Sequence, residues 1–381
     1  MSRILKFAPG GVPFMALGEL GEFIRGNGLQ KSDLTEDGTP AIHYGQIHTH
    51  YGISTDSTKS YTSLSLAAKL RRAKPGDLVI ATTSEDDASV AKATAWLGDG
   101  EVVVSGDAHI YRHSLDPRYI AYFFQSEHFQ RQKIRHISGT KVRRISGASL
   151  AKIRIPVPAL EVQQEISRIL DRFAELRAEL EMELEARRRQ YGYYRGQLLA
   201  KSNLPSAYDC KVSEISVSLP SPRGVKRSDY GLGSLVPIID QGQSWIAGYT
   251  DDVALALPIG EYVIFGDHTR AVKWADFSFA AGADGTKILQ GVDGVLTRYL
   301  YHVISTLEIP SRGYNRHWTV LRDMQVPVPP LVEQERVLAI LDKFDVLVND
   351  VSVGLPAEIA ARRKQYEYYR DRLFAFKELV T

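Results

Sequence analysis

This sequence is short of several things. One cysteine, Cys210, stands among 381 residues, which excludes a disulfide framework and any cysteine-based zinc site within one chain. No apolar run approaches the ~18 residues that a membrane-spanning helix needs. The opening MSRILKFAPGGVPFM carries no signal-peptide hydrophobic block. A reducing cytoplasm is the expected compartment. Catalytic signatures are missing as well: there is no G-x-x-x-x-G-K-[ST], no H-E-x-x-H, no G-x-G-x-x-G, and no Asn-Pro-Pro or Asp-Pro-Pro methyltransferase box. TSEDD (Thr83–Asp87) concentrates acids but has no matching ligand set elsewhere, so it reads as a solvated loop. The ten histidines are scattered; His43, His48 and His50 cluster, with Asp240 as their one counterpart in the second half. No metal site is expected.

What is present is the balance of a globular chain, 44% hydrophobic and 24% charged, long enough for two or three domains. Net charge is only +2, so its distribution says more than its sum. Arg131–Arg144 holds six Lys/Arg and no acid, whereas acids outnumber bases over Glu161–Glu185. A basic patch beside an acidic helix suggests two surfaces with different partners. Either cluster alone would read as a solvated face.

The chain repeats itself. ARRRQYGYYRGQLL (Ala186–Leu199) recurs as ARRKQYEYYRDRLF (Ala361–Phe374), at an offset of 175. Upstream, IRIPVPALEVQQEISRILDRF (Ile153–Phe173) recurs as MQVPVPPLVEQERVLAILDKF (Met324–Phe344), at an offset of 171. Weaker echoes follow in the same order: GLQKSD with GVKRSD, PAIHYGQ with PIIDQGQ, and GDLVIA with GEYVIF. The organisation is globular, helical, globular, helical. The globular copies have diverged strongly and the helical copies little.

Apolar residues at Ile166, Ile169, Phe173, Leu176, Leu180, Leu184, Tyr191, Tyr194 and Leu198 keep the spacing of one helix face. No glycine or proline interrupts Leu160–Tyr191. About 40 residues of helix would span ~60 Å, so a coiled-coil partner is expected. The second copy is punctuated by VGLPAE, where Pro356 suits the first turn of a new segment. The two helical units are expected to pair antiparallel, related by a pseudo-two-fold axis. Arg188, Tyr193 and Arg195 fall off the stripe, as do Tyr368 and Arg370 in the second copy. Such Arg/Tyr surfaces suit a docking protein, or else cap the coiled coil.

The globular units read as short strands with a few helices. DLVIAT, EVVVSG, EYVIFG and DFSFAAG are strand-like; Arg118–Ile137 and Leu296–Thr306 look helical. Each unit carries polar loops at equivalent places, including SGTKVRRIS (Ser138–Ser146) and SRGYNRHWT (Ser311–Thr319). Such loops suit phosphate and base-edge contact, with arginine for guanine and Gln or Asn for adenine. The candidate nucleic-acid contacts are Lys31, Gln46, Lys141, Arg143 and Arg144 in the first unit. In the second they are Lys226, Arg227, Gln243, Arg270, Arg312, Asn315 and Arg316. Each loop alone could equally be ordinary surface.

The pattern resembles the specificity subunit of type I restriction–modification systems over essentially the whole chain. IPVPALEVQQEISRILDRF with ARRRQYGYYRGQLL, and their second copies, are similar to that family's two conserved regions. GEFIRGNGLQKSDL with PAIHYGQIHTHYG, and GEYVIFGDHTRAVKW with FAAGADGTKIL, resemble its target-recognition domains. The resemblance implies an α+β fold: two mixed α/β target-recognition domains at 1–155 and 204–326, and conserved helical regions at 156–203 and 327–381 that form a long antiparallel two-helix coiled coil. It implies a non-catalytic chain that binds double-stranded DNA and reads a bipartite target. Its helices would dock two modification subunits, and motor-nuclease restriction subunits would join them. S-adenosylmethionine, Mg and ATP are expected in those partners, none in this chain, and no membrane. The competing expectation is a rod-like scaffold with two protein- or glycan-binding domains. Four-residue units in AELRAELEMELE (Ala174–Glu185) imply that one added unit nearly restores the helix face.

Overall fold

The structure is a computed structural model describing residues 11–220, 223–231, 233–282, 285–311, 313, 315–349 and 354–379. It is mixed α/β, with two sheet-rich units and a helix of 40 residues, Leu160–Leu199. The first compact unit takes the chain up to Leu180 together with the stretch from Ile359 onward; the second is Glu181–Glu358. This grouping crosses the repeat. The second copy of the Arg/Tyr string completes the first unit, and the first copy completes the second.

In the first unit a five-stranded sheet runs in the order Gly21–Arg25, Ala108–His113, Leu78–Ala81, Lys92–Trp96, Ser54–Thr55. A four-stranded sheet runs Ser60–Thr62, Thr39–Ile42, Val102–Val104, Arg72–Ala73. Helix Pro117–Gln125 starts where Asp116 caps Tyr119 N, with a proline in its first turn. Its Tyr119–Phe124 run is buried. The helix expected over 118–137 is broken at Ser126, whose extended backbone ends one helix while its hydroxyl caps the next, Glu127–Lys133. That serine is a better cap than helix interior.

The second unit has a four-stranded sheet, Ser216–Leu219, Thr286–Gly291, Tyr262–Gly266, Val272–Ala275, and a three-stranded one, Gly248–Thr250, Val236–Ile239, Ala280–Ala281. Helix Thr297–Thr306 buries Tyr299, Leu300, Val303 and Ile304. Each unit contains one equivalent parallel strand pair: Ile42 lies beside Val104, and Ile239 beside Ala281.

The same polar clamp fastens the Pro-x-Pro segment and its helix in both units. Tyr119 donates its hydroxyl to Pro156 O at 2.8 Å, and Tyr299 to Pro327 O at 2.9 Å. The buried Gln163 amide accepts from Asp116 N at 2.9 Å and donates to Pro158 O at 2.8 Å. Gln334 accepts from Leu296 N at 2.9 Å and donates to Pro329 O at 2.8 Å and Gly294 O at 2.9 Å. Arg118 pairs with Asp171 at 2.8 Å, and Arg298 with Asp342 at 3.0 Å. Buried backbone donors and acceptors are thus satisfied by side chains retained in both copies.

The apolar stripe is buried only toward its ends. Of its residues Ile166 and Tyr191 are buried, Ile169, Phe173, Leu180, Leu184 and Leu198 are half-buried, and Leu176 and Tyr194 are exposed; Leu170 and Leu199, beside the stripe, are buried in place of Ile169 and Leu198. The expected seam is therefore thin in the middle. The flanking surface carries i,i+4 pairs, Arg187–Glu183 at 2.9 Å and Arg189–Glu185 at 2.5 Å, which support an exposed helix modestly. The second copy forms two helices, Leu331–Asn349 and Leu355–Phe374, with Pro356 in the first turn of the latter.

Candidate nucleic-acid interface

At the carboxyl end of the equivalent parallel pair, after Ile42 and Val104 in one unit and Ile239 and Ala281 in the other, the chain turns out into polar loops. In the first unit a cleft of about 350 Å³ opens there, lined in part by Arg25, Lys31, His43, Tyr44, Ser105 and Asp107. Lys31 begins a short 3-10 turn, Lys31–Asp33, held by Asp33 accepting from Gln30 N at 2.8 Å. Tyr44 N donates to Ser105 Oγ at 2.8 Å, tying the two strand ends together. Burial lowers the His43 pKa, and His43 Nδ1 accepts from Gly45 N at 3.2 Å. In the second unit the equivalent turn is Arg227–Asp229, with Lys226 as its cap. Val225 bridges Gly282 at the end of the other pair. The echoed segments GLQKSD and GVKRSD therefore reach the same place in both units.

Availability differs among the candidates. Lys31, Lys141, Arg144, Lys226, Arg227, Gln243, Arg270, Asn315 and Arg316 are exposed. Arg312 lies outside the described residues. Gln46 is already engaged at both ends of its amide: Oε1 accepts from His43 N at 3.1 Å and Nε2 donates to Ser60 Oγ at 2.7 Å. Reading adenine with it would break a helix cap, whereas its counterpart Gln243 is exposed. Arg270 donates from Nη1 to Ile309 O at 2.9 Å.

The basic run 131–144 is not a uniform patch. Arg131 pairs with Glu127. Lys133 is fully buried, donating to Ala88 O and Val90 O, both at 3.0 Å, and burial pulls its pKa down to about 8. Arg143 pairs with Asp87 at 2.9 Å and donates to Gly139 O at 2.6 Å. Arg135, Lys141 and Arg144 are left exposed. TSEDD is accordingly more organised than a solvated loop: Thr83–Ser84 pairs with Arg143–Arg144 as a short antiparallel ladder. The sequence could not show which cations meet these distant acids and carbonyls.

The Arg/Tyr strings split by role. Tyr191 and Tyr366 are buried, with Arg195 and Arg370 lying over their rings at 5.2 and 5.7 Å. Arg195 also donates to Ser305 O at 3.3 Å, and Arg370 meets Asp371 at 3.0 Å. Arg195 and Arg370, expected off the stripe and open to a docking protein, are thus engaged within the chain: a position four residues after a buried tyrosine falls on that ring. Tyr194 stacks on Phe344 at 6.0 Å and Tyr369 on Phe173 at 5.4 Å. Tyr193 and Tyr368 stay exposed, at 63% and 55%, each set edge-on to the next tyrosine. Arg188 is exposed.

Among the described residues no group of three or more His, Cys, Asp or Glu could hold a metal ion, and no helix is long and apolar enough to cross a membrane.

A twice-built mixed α/β unit joined through long helices defines the class. One chain with this fold, solved in work on complex assembly and conformational transition of the type I restriction–modification system, superposes with TM-score 0.66 over 96% of this chain and 98% of its own, at 16% identity. The type I S subunit from M. genitalium gives TM-score 0.52 over 95% and 96%, at 14% identity. In sequence, residues 9–187 match the family of type I restriction modification DNA specificity domains. The Escherichia coli EcoR124I/EcoR124II specificity subunit is 31% identical over 270 residues, 61% of this chain and 65% of that one. A putative Haemophilus influenzae specificity subunit is 29% identical over 314 residues, 74% and 76% of the two chains. The chain thus spans just under two thirds of the E. coli relative. In sequence it is similar to specificity subunits of type I restriction–modification systems, and it shares its fold with solved chains of such systems.

Proposed function

We propose that this chain is the DNA-reading, non-catalytic subunit of a type I restriction–modification complex in the cytoplasm. Each unit reads one half of a bipartite duplex target with the loops at the carboxyl end of its parallel strand pair. The helices dock two modification subunits at Tyr193 with Arg188 and at Tyr368. Those subunits bring S-adenosylmethionine and methylate adenine; motor-nuclease subunits bring Mg and ATP. The observation that carries this reading is the duplication of the loop-bearing strand end, with basic residues at matched places (Lys31 and Arg227) on units whose sequences have otherwise diverged.

Two measurements test it. Binding to duplex DNA should fall steeply as salt rises, because phosphate contacts release counterions. Mapping methylated adenines in a host carrying the complete system should give one two-part sequence with an unread spacer. Salt-insensitive binding, or methylation without a two-part motif, refutes the reading.

A further inference from the structure

We propose that Asp87 and Asp267 are positioning residues for DNA recognition: each holds its unit's polar recognition loop in place. This deepens the DNA reading above and rests on it. The equivalent strands Leu78–Ala81 and Tyr262–Gly266, the GDLVIA and GEYVIF echoes, each lead into a loop that returns on itself. Among the described residues only two other than glycine have positive φ, Ala91 at 65° and Arg270 at 63°. One sits in each of these loops. Each donates its amide back to the end of its strand, Ala91 N to Ala81 O at 2.9 Å and Arg270 N to Gly266 O at 2.8 Å. A left-handed alanine and a left-handed arginine both cost backbone energy, and such strain persists where the surroundings fix it.

The surroundings do fix it, by different chemistry in the two units. In the first, Asp87 takes Arg143 Nε at 2.9 Å while Arg143 Nη1 reaches Gly139 O at 2.6 Å. The guanidinium spans the neck of the Ser138–Arg144 turn, whose ends exchange backbone bonds at 2.9 Å. Lys133 holds Ala88 O and Val90 O from behind. Arg143 is thereby occupied with its own loop, and Lys141 and Arg144 are the cations presented outward. In the second unit Asp267 is buried, at 2% exposure. Its Oδ1 accepts from Trp318 N at 2.7 Å, and its carbonyl accepts from His317 N at 2.8 Å and lies 2.9 Å from His317 Nδ1. Arg270 adds its bond to Ile309 O. Asn315 and Arg316 immediately precede this anchor. An acid from the strand loop therefore fastens the recognition loop twice, with an ion pair on one side and a buried cap on the other.

The test uses the chain in complex with its modification subunits. Base preference at each target position is read by selection from a randomised duplex library, and amide exchange of the free chain reports the loops. Asp267→Ala should speed exchange at His317 and Trp318 and lower discrimination on the order of tenfold, in one half-site only. Asp87→Ala should do the same at residues 138–144 and in the other half-site. Asp267→Asn keeps the acceptor and should stay close to wild type, and the untouched half-site controls for folding within the same chain. Unchanged discrimination despite faster exchange overturns the proposal, as does equal loss in both half-sites. Higher affinity for all sequences in Asp87→Ala would make Arg143 a direct phosphate contact and overturn it too. A wild-type complex without base preference sinks the DNA reading itself, so the two failures are told apart.

Discussion

The two units share their clamps and differ in their loops. Gln163 and Gln334 make the same bonds to the same kind of segment, and Tyr119 and Tyr299 donate to matching proline carbonyls. At the strand ends, by contrast, His43 stands where the other unit has Asp240, and the arginine-to-acid fastening of one becomes a backbone cap in the other. The globular sequences have diverged strongly, loops included, while these clamps are kept in both copies. The residues that seat each helix have no such freedom, because a buried amide missing a partner costs about 1–3 kcal/mol.

That contrast can be broken most forcefully at the glutamines. Gln334→Ala should destabilise the second unit by about 2 kcal/mol, and Gln163→Ala the first by about as much; denaturant titration followed by amide exchange in each unit checks both. A cost in only one would end the equivalence of the clamps. Next in size are the exposed loop arginines. Arg144→Ala and Arg316→Ala should each weaken DNA binding by about 1–3 kcal/mol. A base-reading arginine relaxes one target position, whereas a phosphate-reading one weakens all sequences alike; wild-type affinity in both variants would clear the loops of any role.

Acid sharpens the comparison further. His113 in the first unit is held at a pKa of about 4 by burial, and burial also lowers that of His302 in the second. An unfolded imidazole titrates near 6.5. A depressed folded-state pKa leaves stability intact above that value and removes it as pH falls toward 4. Melting temperature should therefore drop below pH 6.5, and His113→Phe should flatten the drop, since it removes the buried imidazole that must take up a proton. The smallest effect on folding belongs to the exposed tyrosines. Tyr193→Ala and Tyr368→Ala should change stability by under about 0.5 kcal/mol yet impair co-purification of a modification subunit; undiminished assembly would refute the docking role.

How much of this was legible beforehand follows from the range of each signal. Helix periodicity and the VGLPAE punctuation are local, and the helices lie where they indicate. The repeat located Gln163 with Gln334 and Asp171 with Asp342, although not what they bond. Ser126 broke an expected helix because a cap outweighs a propensity summed over neighbours. The fate of the basic run was not readable at all: Lys133 is committed to Ala88 and Val90, 45 and 43 positions away, and Arg143 to the still more distant Asp87, contacts that only the folded sheet creates. Arg195 and Arg370 could have been found from their spacing to Tyr191 and Tyr366, a cation four residues after a ring.

The crossing of the repeat has a consequence for how the chain is made. Phe374 is fully buried against Tyr119 and Phe123, at ring distances of 5.0 and 5.7 Å, in a unit whose sheets are complete some 200 residues earlier. During synthesis that first core must wait, with an apolar face uncovered, while the whole second unit is translated. Domains usually close in the order they emerge; here the later one can finish first. A released chain truncated after Glu358 would carry a completed second unit and an unfinished first, a form that chaperones and proteases should recognise.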